Sequence, residues 1–345
     1  MNGKSRFRVL TAGIAGMTLL SACSSGSGSV QDSADSLTPV TFQLNWTGGG
    51  PNAGFAVAKA DGLYEEAGLN VELVEGTGSA AAVQLVASGQ VDLAFADATA
   101  VSQLIAQGAD MKVIATIYQA SPNTVEVLND SGIASIADLK GKQVGVPQGA
   151  SNASMLPLLL EANGLAESDF EQVNVPATSR VPALLQGNVD AILGGVDSSS
   201  VQLEQQNADY TAFLWADNGV GTVAQSIFGN GEYLQQNPEV VRQFVAASLD
   251  GWVAAMRDPQ HAAEALKEVF PDVVEETAAL ELEGILPLLC ASSAKFVGRA
   301  EPENWVRTQD LLSQVNLLPS GQDPAEYYTN DYLPAEADLT SCPVE

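Results

Sequence analysis

Residues 43–79 read QLNWTGGGPNAGFAVAKADGLYEEAGLNVELVEGTGS, and this stretch combines the signals of two strands, a helix and two glycine loops. Apolar and polar residues alternate up to Trp46, which is the period of a β-strand. Glycines and a proline at 48–51 end that strand, and Asn52 can cap the helix that follows. A second strand occupies 70–75. A strand–helix–strand unit of this length predicts a parallel sheet.

The two glycine loops of this unit are the first candidate binding site. Asn45 and Trp46 lie at the end of the first predicted strand, and Thr77 and Ser79 follow the second. Ligands of parallel sheets bind beyond the carboxyl ends of the strands, where loops turn into helices. We therefore expect these four side chains to line one half of a binding cleft.

The first 23 residues have the pattern of a signal peptide rather than of the folded protein. A basic head precedes an apolar run at 9–20, which is shorter than the ~20 residues that span a bilayer. The run ends in Leu-Ser-Ala-Cys at 20–23 and resembles the lipobox of bacterial lipoproteins, whose cysteine carries the lipid. An ordinary signal peptide with a chance cysteine is the alternative. Residues 24–38 predict a flexible tether, so we expect an extracytoplasmic protein that is lipid-anchored to the bacterial cell membrane at Cys23.

The chain is strongly acidic, with a formal net charge of −28 from 42 acidic and 14 basic residues. Such a surface repels nucleic acid and other polyanions. The acidic residues are spread over the chain rather than clustered, which favours solubility as their purpose. A body of this length exceeds one compact core and predicts two lobes.

Two cysteines remain once Cys23 is assigned to the lipid. Cys290 and Cys342 can form a disulfide, a bond that persists outside the cell. Cys290 also lies in an apolar run at 285–291, where a buried free thiol is common. From the sequence, both alternatives stay open.

A short phrase occurs twice and indicates two lobes of related construction. Gly-x-Val-Asp stands at 89–92 and again at 187–190, each time between a predicted helix and a predicted strand. We expect the glycine to end the helix in a left-handed conformation. Asp92 and Asp190 are assigned to structure rather than to chemistry.

These halves predict the domain organisation. Lobe I comprises 39–122 and 224–345, lobe II comprises 123–223, and the chain crosses between the lobes twice. In lobe II, as in lobe I, the predicted strands end in small or hydroxyl residues beside the start of a helix. Free N–H groups there can hold polar ligand atoms. The expected fold class is α/β with two lobes.

Five motifs give the chain a resemblance to a known family. They are Leu44-Asn45-Trp46, Gly62-Leu63-Tyr64-Glu65-Glu66-Ala67-Gly68-Leu69, Gly89-Gln90-Val91-Asp92-Leu93, Asp138-Leu139-Lys140-Gly141-Lys142 and Tyr328-Thr329-Asn330-Asp331-Tyr332-Leu333. In combination they resemble the extracytoplasmic solute-binding proteins of ABC importers. The branch is the NMT1/THI5-like one, named after fungal thiamine-pyrimidine synthesis proteins, with binders of nitrate, sulfonates, taurine, riboflavin and pyrimidine precursors. The resemblance implies a type II periplasmic-binding-protein fold, with parallel-sheet lobes, a hinge and the ligand cleft between the lobes.

The resemblance also implies the partners of the chain. It would act as a monomer that captures a small-molecule solute and delivers it to the membrane permease of an ABC importer. No cofactor is implied, and no nucleic-acid partner.

The resemblance and the predicted strand ends together give a ligand-binding set. In pyrimidine-binding members the tryptophan of the Leu-x-Trp motif stacks on the ring, which matches Trp46. Asp97 can accept hydrogen bonds from an amino group or cap the next helix, and both alternatives stay open. Tyr118 on the crossing segment and the loops of lobe II complete the clamp. The full set is Asn45, Trp46, Thr77, Ser79, Asp97, Tyr118, Gln148, Ser151, Ser179 and Asp197.

The preferred solute is a neutral or cationic heteroaromatic such as a thiamine-pyrimidine precursor. Sulfonate, taurine or nitrate is the alternative, and it needs hydrogen-bond donors and preferably positive charge. Arg180 is the one basic residue in the predicted cleft loops. Its more ordinary interpretation is a solvated residue in the first turn of a helix.

The same resemblance raises a hypothesis of another class, a pyrimidine-synthesis enzyme, because the fungal relatives make a pyrimidine with histidines and iron. This chain has a single histidine, His261, away from the predicted cleft loops. It also lacks the Cys/His spacing of a metal site. We therefore predict a binding protein without a metal site rather than an enzyme.

Overall fold

The structure is a computed structural model that describes residues 37–147, 151–292 and 294–343. The predicted signal peptide with Cys23 and nearly all of the predicted tether lie outside the described residues, as do Gln148 and the side chain of Ser151.

The described residues form ten strands, divided equally between two sheets. In chain order they are β1 (Thr38–Gln43), β2 (Leu69–Val74), β3 (Leu93–Asp97), β4 (Met111–Thr116), β5 (Asn123–Leu128), β6 (Gln143–Val146), β7 (Glu171–Asn174), β8 (Ala191–Gly195), β9 (Tyr210–Leu214) and β10 (Gln225–Asn230). The first sheet has the order β2-β1-β3-β10-β4, and the second has the order β7-β6-β8-β5-β9. The two orders are equivalent, in agreement with the two related halves that the repeated phrase indicates.

Each sheet is mixed, whereas the sequence predicted parallel sheets. β1 pairs parallel with β2 and β3, and β6 pairs parallel with β7 and β8. By contrast, β10 runs antiparallel to β3 and β4, and β5 runs antiparallel to β8 and β9. The chain enters β5 and β10 directly after it crosses from the other sheet, so each of these strands arrives from the opposite direction.

Two segments carry the chain between the sheets. Residues 117–122 lead from β4 to β5, and residues 215–224 lead from β9 to β10. Gln119 anchors the first segment. Its backbone N–H donates to the carbonyl oxygen of Leu288 at 2.9 Å, and its buried side-chain amide donates to that of Arg299 at 2.8 Å. If the crossing segment moved away, these carbonyl oxygens would lose their donors, which costs free energy when the groups are buried. The two bonds therefore hold the segment in place.

Helices cover both sheets. In chain order they are α1 (Ala53–Ala60), α2 (Leu63–Glu66), α3 (Ser79–Ala87), α4 (Ala98–Ala106), α5 (Ser151–Ala162), α6 (Arg180–Leu185), α7 (Ser199–Gln205), α8 (Gly231–Gln236), α9 (Pro238–Arg257), α10 (Pro259–Val269), α11 (Glu275–Ile285) and α12 (Pro302–Gln314). Of the helices in the described part of the chain, none is long and apolar enough to cross a membrane.

The contact between α1 and α9 organises the core beside the first sheet. Trp252 of α9 is fully buried and lies edge-on to Phe55 of α1, with ring centroids 5.7 Å apart. A Cβ at Gly54 would overlap the Trp252 indole, and a Cβ at Gly251 would overlap the Gly54 carbonyl oxygen. The two glycines therefore allow the helices to approach closely enough for the indole to be enclosed.

The repeated Gly-x-Val-Asp phrase adopts the predicted conformation. Gly89 has φ 68° and Gly187 has φ 69°, both in the left-handed region that favours glycine. The carboxylate of Asp190 accepts a hydrogen bond from the Gln143 N–H at 2.8 Å, at the start of β6. This contact joins neighbouring strands and agrees with a structural role for Asp190.

The amino end of the body differs slightly from the prediction. β1 begins at Thr38, the last residue assigned to the tether, and the Thr38 N–H donates to the Gly68 carbonyl oxygen at 2.9 Å. The first sheet thus includes the final residue of the predicted tether, because that residue completes the ladder with β2.

Cys290 and Cys342 form a disulfide with Cα atoms 5.4 Å apart, which is the bonded one of the two alternatives. The Cys342 N–H also donates to the Lys295 carbonyl oxygen at 2.9 Å. The bond therefore fastens the end of the described chain to the segment that contacts Gln119.

Candidate functional site

A cavity of about 460 Å³ lies beyond the carboxyl ends of β1 and β8. Four segments line it: the loop after β1, the start of α3, the turn from β8 together with α7, and one face of α11. Its lining residues are Asn45, Trp46, Thr47, Gly48, Gly49, Pro51, Asn52, Gly78, Ser79, Asp197, Ser198, Val201, Gln202, Gln205, Thr277 and Glu281. The volume is within the range of small-molecule sites.

Four of the predicted site residues meet in this cavity. Asn45, Trp46 and Ser79 come from the stretch quoted first, and Asp197 comes from the end of β8. The Asn45 carbonyl oxygen accepts a hydrogen bond from the Gly78 N–H at 2.7 Å, so the two glycine loops are tied together. Their meeting follows from the parallel pairing of β1 with β2.

Four other predicted residues do not line the cavity. Thr77 and Ser179 are exposed on the surface. Asp97 caps α4, because its side chain accepts a hydrogen bond from the Thr99 N–H at 2.9 Å. Tyr118 is fully buried, and its hydroxyl donates to the Pro51 carbonyl oxygen at 3.2 Å. Asp97 and Tyr118 thus lie outside the cavity lining, where Asp97 caps α4 and Tyr118 bonds to the loop after β1.

Trp46 presents an unusual surface for a tryptophan, because 57% of its side chain is exposed. Its carbonyl oxygen accepts a hydrogen bond from the Gly76 N–H at 3.0 Å, which fixes the backbone of the loop. A Cβ at Gly76 would overlap the Leu44 carbonyl oxygen, so only glycine allows this approach. The indole is therefore held at the cavity by a fixed backbone while its face remains available for stacking.

Two buried asparagines offer unpaired acceptors in the cavity lining. Asn45 is 9% exposed and Asn52 is fully buried. Within the described part of the chain, neither Oδ1 atom has a hydrogen-bond partner. Asn52 stands at the predicted N-cap of α1 but makes no capping bond, and its Nδ2 donates to the Thr47 carbonyl oxygen at 3.2 Å instead. An unpaired buried acceptor costs stability, so a ligand donor at either atom would be favourable.

Glu281 is the lining residue that the sequence did not reveal. Its Oε2 accepts a hydrogen bond from the Gly50 N–H at 2.7 Å. The pKa of Glu281 is raised to about 7, mainly by burial; the hydrogen bond from the Gly50 N–H lowers it and the nearby Asp197 carboxylate raises it. Nothing in the acidic run of α11 distinguishes Glu281 from its neighbours until the fold places it over the first glycine loop.

Asp197 brings a second carboxyl group into the lining. Burial raises its pKa, while the positive charge of Arg180 and a hydrogen bond with Ser198 act in the opposite direction. Arg180 is largely buried rather than a solvated helix residue, and its Nη2 donates to the Ser198 Oγ at 2.9 Å. Arg180 thus lies behind the turn that carries Asp197 and does not line the cavity.

A buried carboxyl group supports the same turn. Glu126 of β5 is fully buried, and its Oε1 accepts hydrogen bonds from Thr124 at 3.0 Å and Ser200 at 2.7 Å. Burial raises the pKa of Glu126, and Arg180 partly offsets that effect. The network fixes the start of α7 and with it the position of Asp197.

Helices α7 and α11 touch beside the cavity. The Gln205 side chain donates to the Thr277 hydroxyl at 2.8 Å. A Cβ at Gly284 would overlap the Val196 carbonyl oxygen, so α11 packs without space against the turn that precedes α7. The late helix α11 therefore contacts the part of the chain that carries the second sheet, and it does so next to the cavity lining.

The shifted pKa of Glu281 predicts a pH dependence of stability. Its pKa is about 7 in the fold against an ordinary value of 4.5, so the folded protein binds a proton more tightly than the unfolded chain. The contribution is fully present below 4.5 and is lost as the pH rises through about 7. We expect urea unfolding to show a steeper loss of stability over this range in the wild type than in Glu281→Gln. Equal slopes for the two proteins would contradict the shift.

Among the described residues, no group of three or more histidine, cysteine or acidic side chains could hold a metal ion. The one histidine, His261, lies on the surface, where its Nε2 is 2.8 Å from Asp61 Oδ1. It is not among the residues of the cavity.

Comparisons with known proteins agree with this architecture. The family model described as NMT1/THI5 like matches residues 51–262. The riboflavin-binding protein RibY of Chloroflexus aurantiacus is 28% identical, over 95% of this chain and 98% of its own length. A formylaminopyrimidine-binding protein of Halalkalibacterium halodurans is 27% identical, over 81% of this chain and 88% of its own. A relative in Legionella pneumophila, 23% identical, is named as 4-amino-5-hydroxymethyl-2-methylpyrimidine phosphate synthase.

A solved structure supports the fold class. The periplasmic aliphatic sulphonate binding protein SsuA of Escherichia coli superposes with a TM-score of 0.68, at 17% identity, over 89% of this chain and 94% of its own. At that identity the similarity establishes the fold only, which is the two-lobed type II periplasmic-binding-protein fold expected from the sequence.

Proposed function

Because the chain belongs to the NMT1/THI5-like family, we propose that it captures a small-molecule solute in the cavity beyond β1 and β8 and delivers it to the permease of an ABC importer. One observation carries the proposal more than any other. One cavity is lined by Trp46, whose indole is exposed, and by Asn45 and Asn52, two buried residues whose side-chain oxygens have no hydrogen-bond partner within the described residues. An apolar ring face beside a few placed polar groups is the arrangement of a small-molecule site.

The solute that fits this lining best is a nitrogen heteroaromatic, such as a thiamine-pyrimidine precursor. Trp46 can stack on its ring, and its ring or amino N–H groups can donate to the two asparagines. Relatives named for riboflavin and formylaminopyrimidine support this choice. Sulfonate, taurine or nitrate is the second candidate class of solute, because SsuA, which shares the fold, is named as an aliphatic sulphonate binding protein. No basic residue of the described chain lines the cavity, which speaks against an anion.

Capture would use the two lobes. We assign 39–122 and 224–345 to lobe I and 123–223 to lobe II, with the crossing segments as the hinge. A solute that contacts both lobes stabilises the closed form in proportion to its extra contacts there. The contact between Gln205 and Thr277 would then help to hold the lobes together on the solute.

The chain would work outside the cytoplasm, as periplasmic-type relatives do. Lipid attachment at Cys23, which lies before the described residues, is part of the proposal, and so is a monomeric state. The permease, rather than this chain, would carry the solute across the membrane.

Binding rather than catalysis is the proposed activity, although one relative is named as a synthase. Histidine-based acid–base chemistry would need an imidazole at the cavity. His261 pairs with Asp61 on the surface instead. The proposal therefore requires no cofactor.

A thermal-shift screen of the full chain tests the proposal. The panel would contain aminopyrimidines, thiamine, riboflavin, taurine, alkanesulfonates and nitrate. A bound solute at ~100 times its dissociation constant should add about 2.7 kcal/mol of stability and raise the melting temperature. A shift with aminopyrimidines is the expected result. A shift with sulfonates or nitrate alone would overturn the heteroaromatic preference, and no shift with any compound would count against solute capture.

Replacing Trp46 with alanine is expected to weaken binding of an aminopyrimidine about 5- to 150-fold, because stacking on an aromatic side chain contributes about 1–3 kcal/mol. Calorimetric titration of wild type, Trp46→Ala and Trp46→Phe would measure it. The phenylalanine variant keeps a stacking face and should bind more tightly than the alanine variant. Equal affinities in all three proteins would place the ring elsewhere.

A further inference from the structure

Of the described residues that line the cavity, the charged ones are both carboxylic acids. Asp197 lines it from the end of β8, and Glu281 lines it from α11. Among the ion pairs of the described residues, none includes either of them. Each carboxylate raises the pKa of groups around it, and the Tyr118 hydroxyl behind the loop has a pKa raised by burial first and by both carboxylates next. The two carboxyl groups are thus close enough to the Tyr118 hydroxyl for both to affect its pKa.

Arg180 does not balance this negative charge. It is the basic residue near the turn, yet it lies behind Asp197 and donates to the Ser198 hydroxyl. It interacts electrostatically with Glu126 as well as with Asp197, so one positive charge faces two carboxyl groups. Within the described residues, Glu281 receives a hydrogen bond from the Gly50 N–H alone. The region therefore carries a negative excess when Glu281 is ionised.

The neutral polar atoms of the lining have the same bias. Asn45 and Asn52 are at least nine-tenths buried, and each presents an Oδ1 that has no donor within the described chain. The Gln205 side-chain amide, a donor that could have served the cavity, is used on Thr277. A ligand donor that reached either of these two oxygens would remove the cost of leaving it unpaired.

We propose that this cavity selects solutes that carry a positively charged nitrogen, which lies between the carboxyl groups of Asp197 and Glu281, and that Glu281 sets the preference for charge. The inference rests on the proposed function and narrows its solute class to protonated amines or amidines on a flat ring. A charged donor makes stronger hydrogen bonds to carboxylates than a neutral one does, and the exposed face of Trp46 adds a favourable contact with a cation.

Three pyrimidines that share the same ring and differ in one substituent test the inference on the full chain. The cation is 4-amino-5-aminomethyl-2-methylpyrimidine, the neutral probe has a hydroxymethyl group in place of the aminomethyl group, and the anion has a carboxylate there. Calorimetric titration well above pH 7 keeps most of the Glu281 carboxyl groups ionised, since the pKa is about 7. We expect the cation to bind at least about tenfold more tightly than the neutral probe, and the anion to bind most weakly.

The variants assign the preference to its residue. Glu281→Gln keeps an acceptor for the Gly50 N–H and should reduce the cation preference to near equality, whereas Asp197→Asn should reduce it in part. Glu283→Gln is the matched control, because it makes the same chemical change on an exposed residue of α11 outside the lining. This control should keep the wild-type preference. Melting curves would verify that every variant folds.

The outcomes separate this inference from the proposed function. If the three probes bind alike, or the carboxylate binds most tightly, while Trp46→Ala weakens all of them, the cavity binds solutes without selecting cations. The inference then fails and the proposed function stands. If the cationic probe shows no binding at millimolar concentration, the inference fails too, and the sulfonate and nitrate results of the screen decide the proposed function.

Discussion

Replacing Trp252 with alanine is expected to lower the free energy of unfolding by about 3–5 kcal/mol, the usual cost of removing a large aromatic side chain from a core. Trp252 is fully buried, and its ring lies 5.7 Å from Phe55 and 6.0 Å from Tyr118, edge-on to both. Gly54, which faces the indole, has no side chain that could fill the resulting space. Urea unfolding followed by circular dichroism would measure the loss.

The matched control for this prediction is Trp46, an exposed tryptophan. Trp46→Ala removes the same side chain from an exposed position, and we expect a change within about 0.5 kcal/mol in the absence of solute. The two variants should therefore separate stability from binding. A loss of less than about 1 kcal/mol in Trp252→Ala would show that α1 and α9 can repack, and would contradict the enclosed geometry.

Removing the disulfide is the second large effect, with an expected loss of about 4 kcal/mol in the double variant Cys290→Ser/Cys342→Ser, as the loop-entropy relation gives for a closed loop of this length. The bond joins residues 52 apart in sequence. It constrains the unfolded chain, and in the fold it holds the segment whose Leu288 carbonyl oxygen accepts from Gln119.

The measurement compares unfolding of wild type and the double variant, each with and without a reductant. The wild type should lose stability on reduction, and the double variant should be insensitive. Wild-type protein that unfolds at the same urea concentration in both conditions would indicate free thiols, the alternative that the sequence left open.

Local patterns predicted the parts of the fold that depend on neighbours in sequence. Residues 43–79 contain the expected order of strand, helix and strand, because alternation and glycine loops act within a few residues. The bounds differ, since β1 ends at Gln43 rather than Trp46 and the helix is divided into α1 and α2. The left-handed glycines at Gly89 and Gly187 followed from the same kind of signal. The antiparallel β5 and β10 did not, because their direction depends on where the chain crosses between sheets, and no residue pattern within the strands records it.

The candidate site divides in the same way. Asn45, Trp46, Ser79 and Asp197 stand at strand ends, so a general rule of α/β sheets places them at the cavity. Glu281 lies in the middle of a late helix, and its position depends on how α11 packs over the loop before α1. Arg180 was expected to be solvated, since helix first turns often are, but the turn after β8 covers it.

The most direct test of the account is the tryptophan emission of the full chain during titration with 4-amino-5-aminomethyl-2-methylpyrimidine. Three of the four tryptophans, Trp215, Trp252 and Trp305, are at most 1% exposed, whereas Trp46 is 57% exposed. We predict a saturable change in emission that is absent in Trp46→Phe, although calorimetry still detects binding by that variant. An unchanged emission while calorimetry reports binding, or an equal change in Trp46→Phe, would contradict capture of the solute against Trp46.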